Sequence, residues 1–355
     1  MGPKKLVCLV VIARDEERCI RRCLNSFSSH VDKMLVLDTG STDNTIALAK
    51  EAGAQVNSFT WIDDFSAARN AALELAAADW HVVADADEWL QSGSEYLSEL
   101  RSGLCNRIGL VRILNQYDSR GQSGVLSAWV PRLLPGNVRY RGNIHEQPDA
   151  VLPMHETPLT FGHDGYCEEQ RQKKAGRNER LLRTALSTEP ENPYLLYQLG
   201  CELRARKSYA EAVAVYRSAL RVTPLMADYR ADLVRRLVSA LQIEREWTTA
   251  FNLLGQEMAR YSSSKTFMLT VGDLFWNWAQ DEPKEAPRLL PMAEDAWMQA
   301  LHLDRTQGSA HGHQLEQVGS LAALSLSVLC RQFGQNDRAA QFALFAQKLI
   351  KAKVA

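Results

Sequence analysis

Trp80-His81-Val82-Val83-Ala84-Asp85-Ala86-Asp87-Glu88-Trp89 is the stretch on which the reading of this 355-residue chain turns. Its first five residues are mostly apolar and rich in β-branched valine, too short a run for a stable helix, and read as a buried strand. The strand runs straight into three carboxylates, Asp85, Asp87 and Glu88. Carboxylates crowded at the end of a buried strand repel one another and lose hydration, so they need a cation or a set of donors to neutralise them. A divalent metal is the economical answer. Strict strand alternation predicts Asp85 and Asp87 on one face and Ala86 on the other, as a shared hard cation requires. Because Asp-x-Asp also occurs in solvated turns, the elements around it decide the reading.

Upstream, Leu6 to Ala13 is an uninterrupted apolar run, as expected of a parallel strand covered on both faces. After Arg14-Asp15-Glu16-Glu17 comes a helical pattern with Ile20, Cys23, Leu24 and Phe27 on one face, its leading acids suited to the helix dipole. Lys33 to Asp38 reads as a second buried strand, closed by the turn Thr39 to Asn44 and followed by a helix over Ile46 to Ala52. Val56 to Phe59 reads as a third strand, and Phe65 to Ala78 as an Ala-rich helix carrying Arg69 and Asn70. The order β-α-β-α-β-α-β predicts an open, mostly parallel sheet with right-handed crossovers. Asp15/Glu16, Asp38 and Asp85/Asp87 then collect past the carboxyl ends of strands, where such sheets bind ligands. No Gly-x-Gly-x-x-Gly follows the first strand and no phosphate loop is present. A nucleotide's phosphates must therefore be neutralised by a metal and by basic side chains, a task for Asp85/Asp87 and Arg69.

Four motifs, Val11 to Glu17, Val36 to Asp43, Ala68-Arg69-Asn70 and Asp85-Ala86-Asp87-Glu88, stand here in the order seen in family-2 glycosyltransferases of GT-A fold, which the chain resembles. The resemblance implies a nucleotide-sugar donor, with a UDP-sugar favoured, and an inverting transfer of a hexosyl or N-acetylhexosaminyl group. It implies Asp38 near the base; Ala13, Glu16, Arg69, Asp85 and His145 on the donor; and Asp85 and Asp87 holding Mn²⁺ or Mg²⁺ on the diphosphate. Many members carry Asn where this chain has Asp15, which leaves the role of position 15 open.

Residues 101–166 are expected to form the acceptor side, with strands over Gly109 to Leu114 and Ala128 to Leu134 around a polar turn, Asp118 to Gly124. The Arg141-Gly142-Asn143-Ile144-His145-Glu146 run, and His163 shortly before Gly165-Tyr166, resemble the branch of the family that is fused to helical repeats. Inverting transfer needs a base for the acceptor's proton, and Glu146 is the candidate, beside Asp87 as the other catalytic residue. The alternative is that Glu146 pairs with Arg139 or Arg141. His163 is either a further metal ligand or a satisfied structural histidine. His145 orients the donor or acceptor, or has no catalytic part.

Past Tyr166 helical periodicity takes over, with a 34-residue repeat between Pro190 and Pro224. Leu196, Leu199, Gly200, Leu203, Ala212, Tyr216 and Ala219 fall on the tetratricopeptide pattern, in which small Gly200 and Ala212 admit a neighbouring helix and Tyr216 fills the gap. Later hairpins are degenerate: Leu233/Leu237 with Ala250, Gly272 with Trp297 across an insertion from Asp281 to Pro287, and Val318 to Phe333 with Ala339 to Ile350. Trp247, Trp276, Trp278 and Trp297 read as packing residues rather than a sugar platform, and His311-Gly312-His313 as a solvated loop. Lys173, Lys174, Arg177 and Arg180 make a basic face that is either solvated surface or an attractor of acidic acceptors.

Composition sets the bounds. At 46% hydrophobic, 23% charged and net charge −1, the chain has two domains' worth of core and no electrostatic case for nucleic acid. No window has the length of a membrane span. Seven cysteines without a Cys-x-x-Cys pair point to reduced thiols and a cytoplasmic location. The expectation is α/β plus all-α: a GT-A domain over 1–165, then a helical repeat domain over 166–355 presenting a protein or peptide acceptor, with a homo-oligomer left open. A lipopolysaccharide-core or surface-glycan transferase is the nearest competing enzyme, and a binding scaffold with an inactive transferase domain the competitor from another class.

Overall fold

The apolar run at the N-terminus forms strand β1 (Val7–Ala13). A computed structural model describes residues 4–103, 105–119, 122–164, 176–307 and 318–354. Tyr166, Lys173, Lys174 and His311 to His313 lie outside the described residues. Strands β2 (Lys33–Asp38) and β4 (Trp80–Asp85) flank β1 in parallel, and β3 (Gln55–Ser58) extends the sheet beside β2. The register sets Ala13 beside Asp38 and Ile12 beside Asp85, so the acidic strand ends share one edge. Alternation along β1 feeds two cores. Val7, Leu9 and Val11 pack with Ile20, Cys23, Leu24 and Phe27 of α1 (Ile20–Phe27), while Cys8 and Val10 pack with Ala68, Ala72 and Leu73 of α3 (Phe65–Ala76). The remaining crossover is α2 (Thr45–Glu51). Asp64 caps α3, its carboxylate accepting from the Ala67 amide, and Ala77 ends the helix in the left-handed region.

Beyond β4 the sheet is mixed. β7 (Gln122–Pro135) runs antiparallel to β4, β6 (Ile108–Ser119) antiparallel to β7, β10 (Met154–His163) parallel to β6, and β5 (Glu88–Ser92) closes the order β3-β2-β1-β4-β7-β6-β10-β5. A short helix α4 (Glu95–Glu99) follows β5, and β8 (Tyr140–Arg141) pairs with β9 (Gln147–Pro148). Two expectations change here. β4 ends at Asp85, and Ala86-Asp87 form a turn before β5, so strand alternation does not place Asp85 and Asp87 on a common face. β6 and β7 also extend farther than expected, pairing through Ser119 and Gln122.

The chain divides into two compact units, residues 1–181 and 182–355, with the division inside α5 (Arg177–Thr188). The second unit consists of α6 (Pro193–Ala205), α7 (Tyr209–Val222), α8 (Arg230–Ile243), α9 (Trp247–Tyr261), α10 (Lys265–Asp281), α11 (Ala286–Gln307), α12 (Val318–Gln332) and α13 (Asn336–Val354). Asn192 caps α6 by accepting from the Tyr194 and Leu195 amides, with Pro193 at the first helical position, where its missing N–H costs nothing. A Cβ at Gly200 would stand 2.3 Å from the Tyr216 ring, and one at Gly272 2.4 Å from Trp297, so each glycine receives an aromatic face from the next helix. The expected insertion before α11 is shorter, since the helix already begins at Ala286. The α/β plus all-α architecture expected from the sequence is present. Among the described residues no helix is long and apolar enough to cross a membrane, and the six described cysteines are free.

Candidate active site

Loops at the carboxyl edge of the sheet are tied together before any ligand arrives. Asp15, with φ 55°, accepts from the Thr42 amide at 2.7 Å and the Thr42 hydroxyl at 3.1 Å. Glu17 accepts from the Asn44 amide, and the Glu16 amide donates to the Thr45 hydroxyl at 2.7 Å. Position 15, left open by the sequence, thus fixes the β1 loop to the β2 loop. Asp38 at the end of β2 is buried; its Oδ2 accepts from the Gly40 and Ser41 amides, while its buried Oδ1 has no hydrogen-bond partner.

Asn70 performs a similar task for the acceptor-side loop. Its amide donates to the Tyr140 carbonyl at 2.9 Å and accepts from the Tyr140 amide at 2.7 Å, clamping α3 to β8. The neighbouring Arg69 therefore meets Glu146: its Nε donates to Glu146 Oε1, and its Nη2 to Asp85 Oδ1 at 2.7 Å. Glu146 pairs with Arg69, not with Arg139 or Arg141.

Each carboxylate of the opening stretch has a basic partner, and Asp85 and Glu88 share one. Arg132 on β7 donates to Asp85 Oδ2 at 2.5 Å and to Glu88 Oε1 at 2.8 Å, and Glu88 Oε2 accepts from the Asp85 amide. Burial opposes ionisation of Asp85, but Arg132 and Arg69 outweigh it and hold the carboxyl well below its ordinary range. Burial prevails at Glu88, whose pKa is raised. Asp87 faces His163, with Oδ2 3.3 Å from Nε2. His163 Nδ1 lies 2.7 Å from Asn115 Oδ1, which accounts for that nitrogen and orients the other toward Asp87. Burial pulls the His163 imidazolium down, yet Asp87, with Glu88 and Asp85, carries its pKa above the usual value. Next to it, Asp164 takes Arg18 at 3.0 Å and Arg22 at 2.7 Å, securing the end of β10.

These residues border a cleft of about 370 Å³ lined by Ala13, Glu16, Thr39, Trp61, Phe65, Arg69, Asp85, Asp87, Arg132, His145, Glu146 and Arg177, among others. Seven of the expected site residues, Ala13, Glu16, Arg69, Asp85, Asp87, His145 and Glu146, therefore meet in one place. His163 reaches it through Asp87, and Asp38 lies behind its neighbour Thr39. Two donors stand out: Arg69 Nη1 and Arg132 Nε are buried with no hydrogen-bond partner. Arg132 was not among the expected site residues. Its signal was present, because an arginine inside the apolar run from Ala128 to Leu134 is a buried charge that must find an acid. Of the basic face, Arg177 lies over the Phe65 ring and lines the cleft, whereas Arg180 pairs with Asp63 at 2.8 Å.

A carboxylate and an oriented imidazole nitrogen suit a Mn²⁺ or Mg²⁺ ion that keeps water and substrate phosphate as its other ligands. Asp87 and His163 would hold it. Asp85, expected as a second ligand, has both oxygens engaged by guanidinium groups. Among the described residues no three His, Cys, Asp or Glu side chains are grouped as a metal cage.

Comparison with known proteins follows the same lines. Residues 8–100 match the family model described as "Glycosyl transferase family 2". A TPR repeat-containing protein of Synechococcus elongatus is 38% identical over 211 residues, 55% of this chain and 51% of that protein. The SPbeta prophage-derived glycosyltransferase SunS of Bacillus subtilis is 28% identical over 220 residues, 59% of this chain and 51% of that protein. An uncharacterized glycosyltransferase of Rickettsia felis is 36% identical over 80 residues, 22% of this chain and 28% of that protein. The chain thus spans about half the length, or less, of these curated relatives. Residues 8–100 are a family 2 glycosyltransferase domain.

Proposed function

We propose that this protein transfers a sugar from a nucleotide-sugar, a UDP-sugar in the first instance, to a protein or peptide acceptor, with a divalent metal and with inversion at the transferred carbon. The observation that carries this reading is the pair of buried guanidinium N–H groups without acceptors, Arg69 Nη1 and Arg132 Nε, on residues that share the cleft with Asp87. A buried donor left unpaired costs roughly 1–3 kcal/mol, so the free protein holds a deficit that the oxygens of a diphosphate would remove. Asp87 and His163 would hold the metal, whose charge would offset that of the diphosphate. Asp85 keeps the two guanidinium groups in place. Glu16, Thr39 and Asp38, whose Oδ1 is buried and unpartnered, stand at the end where the base would enter.

Glu146 takes the acceptor's proton. Its Oε1 is held by Arg69, which orients the carboxylate and leaves Oε2 for the acceptor. His145, with φ 53°, is held in a left-handed backbone conformation beside it, an arrangement that favours a positioning role. Support for a polypeptide acceptor comes from the helical hairpins of the second unit and from the likeness to a TPR repeat-containing protein of Synechococcus.

The test is thermal unfolding of the purified protein against UDP, GDP, ADP and their sugar conjugates, each with Mn²⁺ and with chelator. A ligand at about 100 times its Kd raises the stability of the state it binds by roughly 2.7 kcal/mol. A metal-dependent rise with one nucleotide is expected. No rise with any nucleotide would remove the donor assignment and favour the scaffold reading.

A further inference from the structure

The second unit contains a cleft of about 370 Å³ that the transfer reaction does not use. Asp273 of α10 lines it together with Arg235, Trp276, Trp297, Leu324 and Val328. The Trp297 indole N–H donates to Asp273 Oδ1 at 3.0 Å and sets the orientation of the carboxylate. Among the described residues no basic side chain is ion-paired with Asp273: Arg235 faces it, but its guanidinium is bound to Asp232 Oδ1, with Nε at 3.0 Å. The acid thus stands in a cleft with one neutral donor and no countercharge of its own.

One wall of the cleft, on α12, is aliphatic, whereas Gln242, Thr270 and Asn277 line the remainder. Leu324 and Val328 are 42% and 52% exposed, and Leu321, one turn earlier on the same stripe of α12, is 39% exposed. Positions i, i+3 and i+7 form one helix face, so these three make a continuous aliphatic strip beside the acid. The Trp276 ring is partly exposed at the cleft and packs on the buried Trp297 with centroids 5.8 Å apart, and indole faces attract cations. Sugar hydroxyls would use the acid but not the aliphatic strip. A polypeptide carrying one basic side chain between aliphatic ones would use both.

We infer that this cleft binds a polypeptide segment, with a lysine or arginine side chain directed at Asp273 beside the Trp276 ring and flanking aliphatic side chains on Leu321, Leu324 and Val328. The inference goes beyond sugar transfer, since the binding needs neither donor nor metal. Burial pushes the Asp273 carboxyl up to about 6, against the smaller opposing pulls of Trp297 and Arg235, which accords with an acid short of a cation.

Fluorescence anisotropy of the 355-residue protein with labelled dodecapeptides tests this, the peptides being identical except for a central Lys, Arg, Gln or Glu between leucines. Lys and Arg peptides are expected to bind about tenfold or more tightly than the Gln peptide, the scale of a charge-assisted hydrogen bond, with Glu the weakest. Asp273→Asn, which keeps an acceptor for the Trp297 N–H, should make Lys and Gln peptides equal. The surface pair Leu324→Ser with Val328→Ser should weaken all four. Equal binding of Lys and Gln peptides to the unaltered protein, discrimination that survives Asp273→Asn, or no binding of any peptide would overturn the inference. So would a dimer in sedimentation that the Leu324/Val328 pair of substitutions dissolves, because the strip would then belong to a second copy.

Discussion

Asp87 is buried beside a histidine already oriented by Asn115, and it forms part of the ion-pair cluster without supporting any hydrophobic core. Asp87→Ala is therefore expected to abolish the metal-dependent rise in melting temperature with nucleoside diphosphate while leaving the circular dichroism spectrum intact; unchanged affinity would take Asp87 out of the site. Glu146→Gln keeps the size of the side chain and an acceptor for Arg69, so nucleotide binding should persist while turnover falls about 10²–10⁴-fold. Normal turnover would reassign the base. Arg132 is a different case: two acids depend on it, and removing one partner of a buried pair leaves charge without compensation. Because Asp85 is partly exposed, Arg132→Leu should cost toward the low end, about 3 kcal/mol in urea unfolding, and Lys should rescue it only in part, lacking the planar fork. Asp273 links stability to pH. Its folded pKa lies near 6, above the ordinary 3.8, so its favourable contribution is complete below the ordinary value and is lost as pH rises through 6. Relative to Asp273→Asn, the protein should lose stability between pH 4 and pH 7. A constant difference in melting temperature would mean that this carboxyl sits in water.

Elements were legible where the side-chain period was clean. The four apolar residues predicted for α1 are the four it buries, and β2 spans the predicted residues, because a helix or strand covered on one or both faces writes its period into the sequence. β5 was hidden: Glu88-Trp89-Leu90-Gln91-Ser92 follows β4 after only two residues, and its partner β10 lies far along the chain, so nothing local separates the two strands. Paired small and large residues were legible in the helical unit as well. Gly200 with Tyr216 was read from the repeat, and Gly272 with Trp297 repeats the device in a hairpin whose consensus has eroded. Alanine favours helices over glycine by up to about 1 kcal/mol, yet Gly200→Ala and Gly272→Ala should each destabilise by about 1–3 kcal/mol, since both rings are buried and Trp297 is held by its hydrogen bond to Asp273. Melting temperatures at or above that of the unaltered protein would show that the rings move freely.

For the whole molecule, the two compact units have hydrophobic interiors, and among the described residues no group of three or more His, Cys, Asp or Glu side chains could hold a metal within them. Chelator alone should leave the melting temperature unchanged, and should remove only the increment that nucleotide adds; unfolding by chelator alone would reveal a structural metal. The sequence by itself determined the order of elements from β1 to β4, the edge of the sheet at which acids collect, and the repeat that begins near Pro190, because each is written in local periodicity and in where strands stop. Only the tertiary structure decided which cation serves which acid. Asp85 goes to Arg69 and Arg132, Asp87 to His163, Glu88 to Arg132 and Glu146 to Arg69, and these partners lie up to 77 residues apart. Ion pairing depends on distance and burial, and neither is carried by sequence spacing once the chain has folded back on itself.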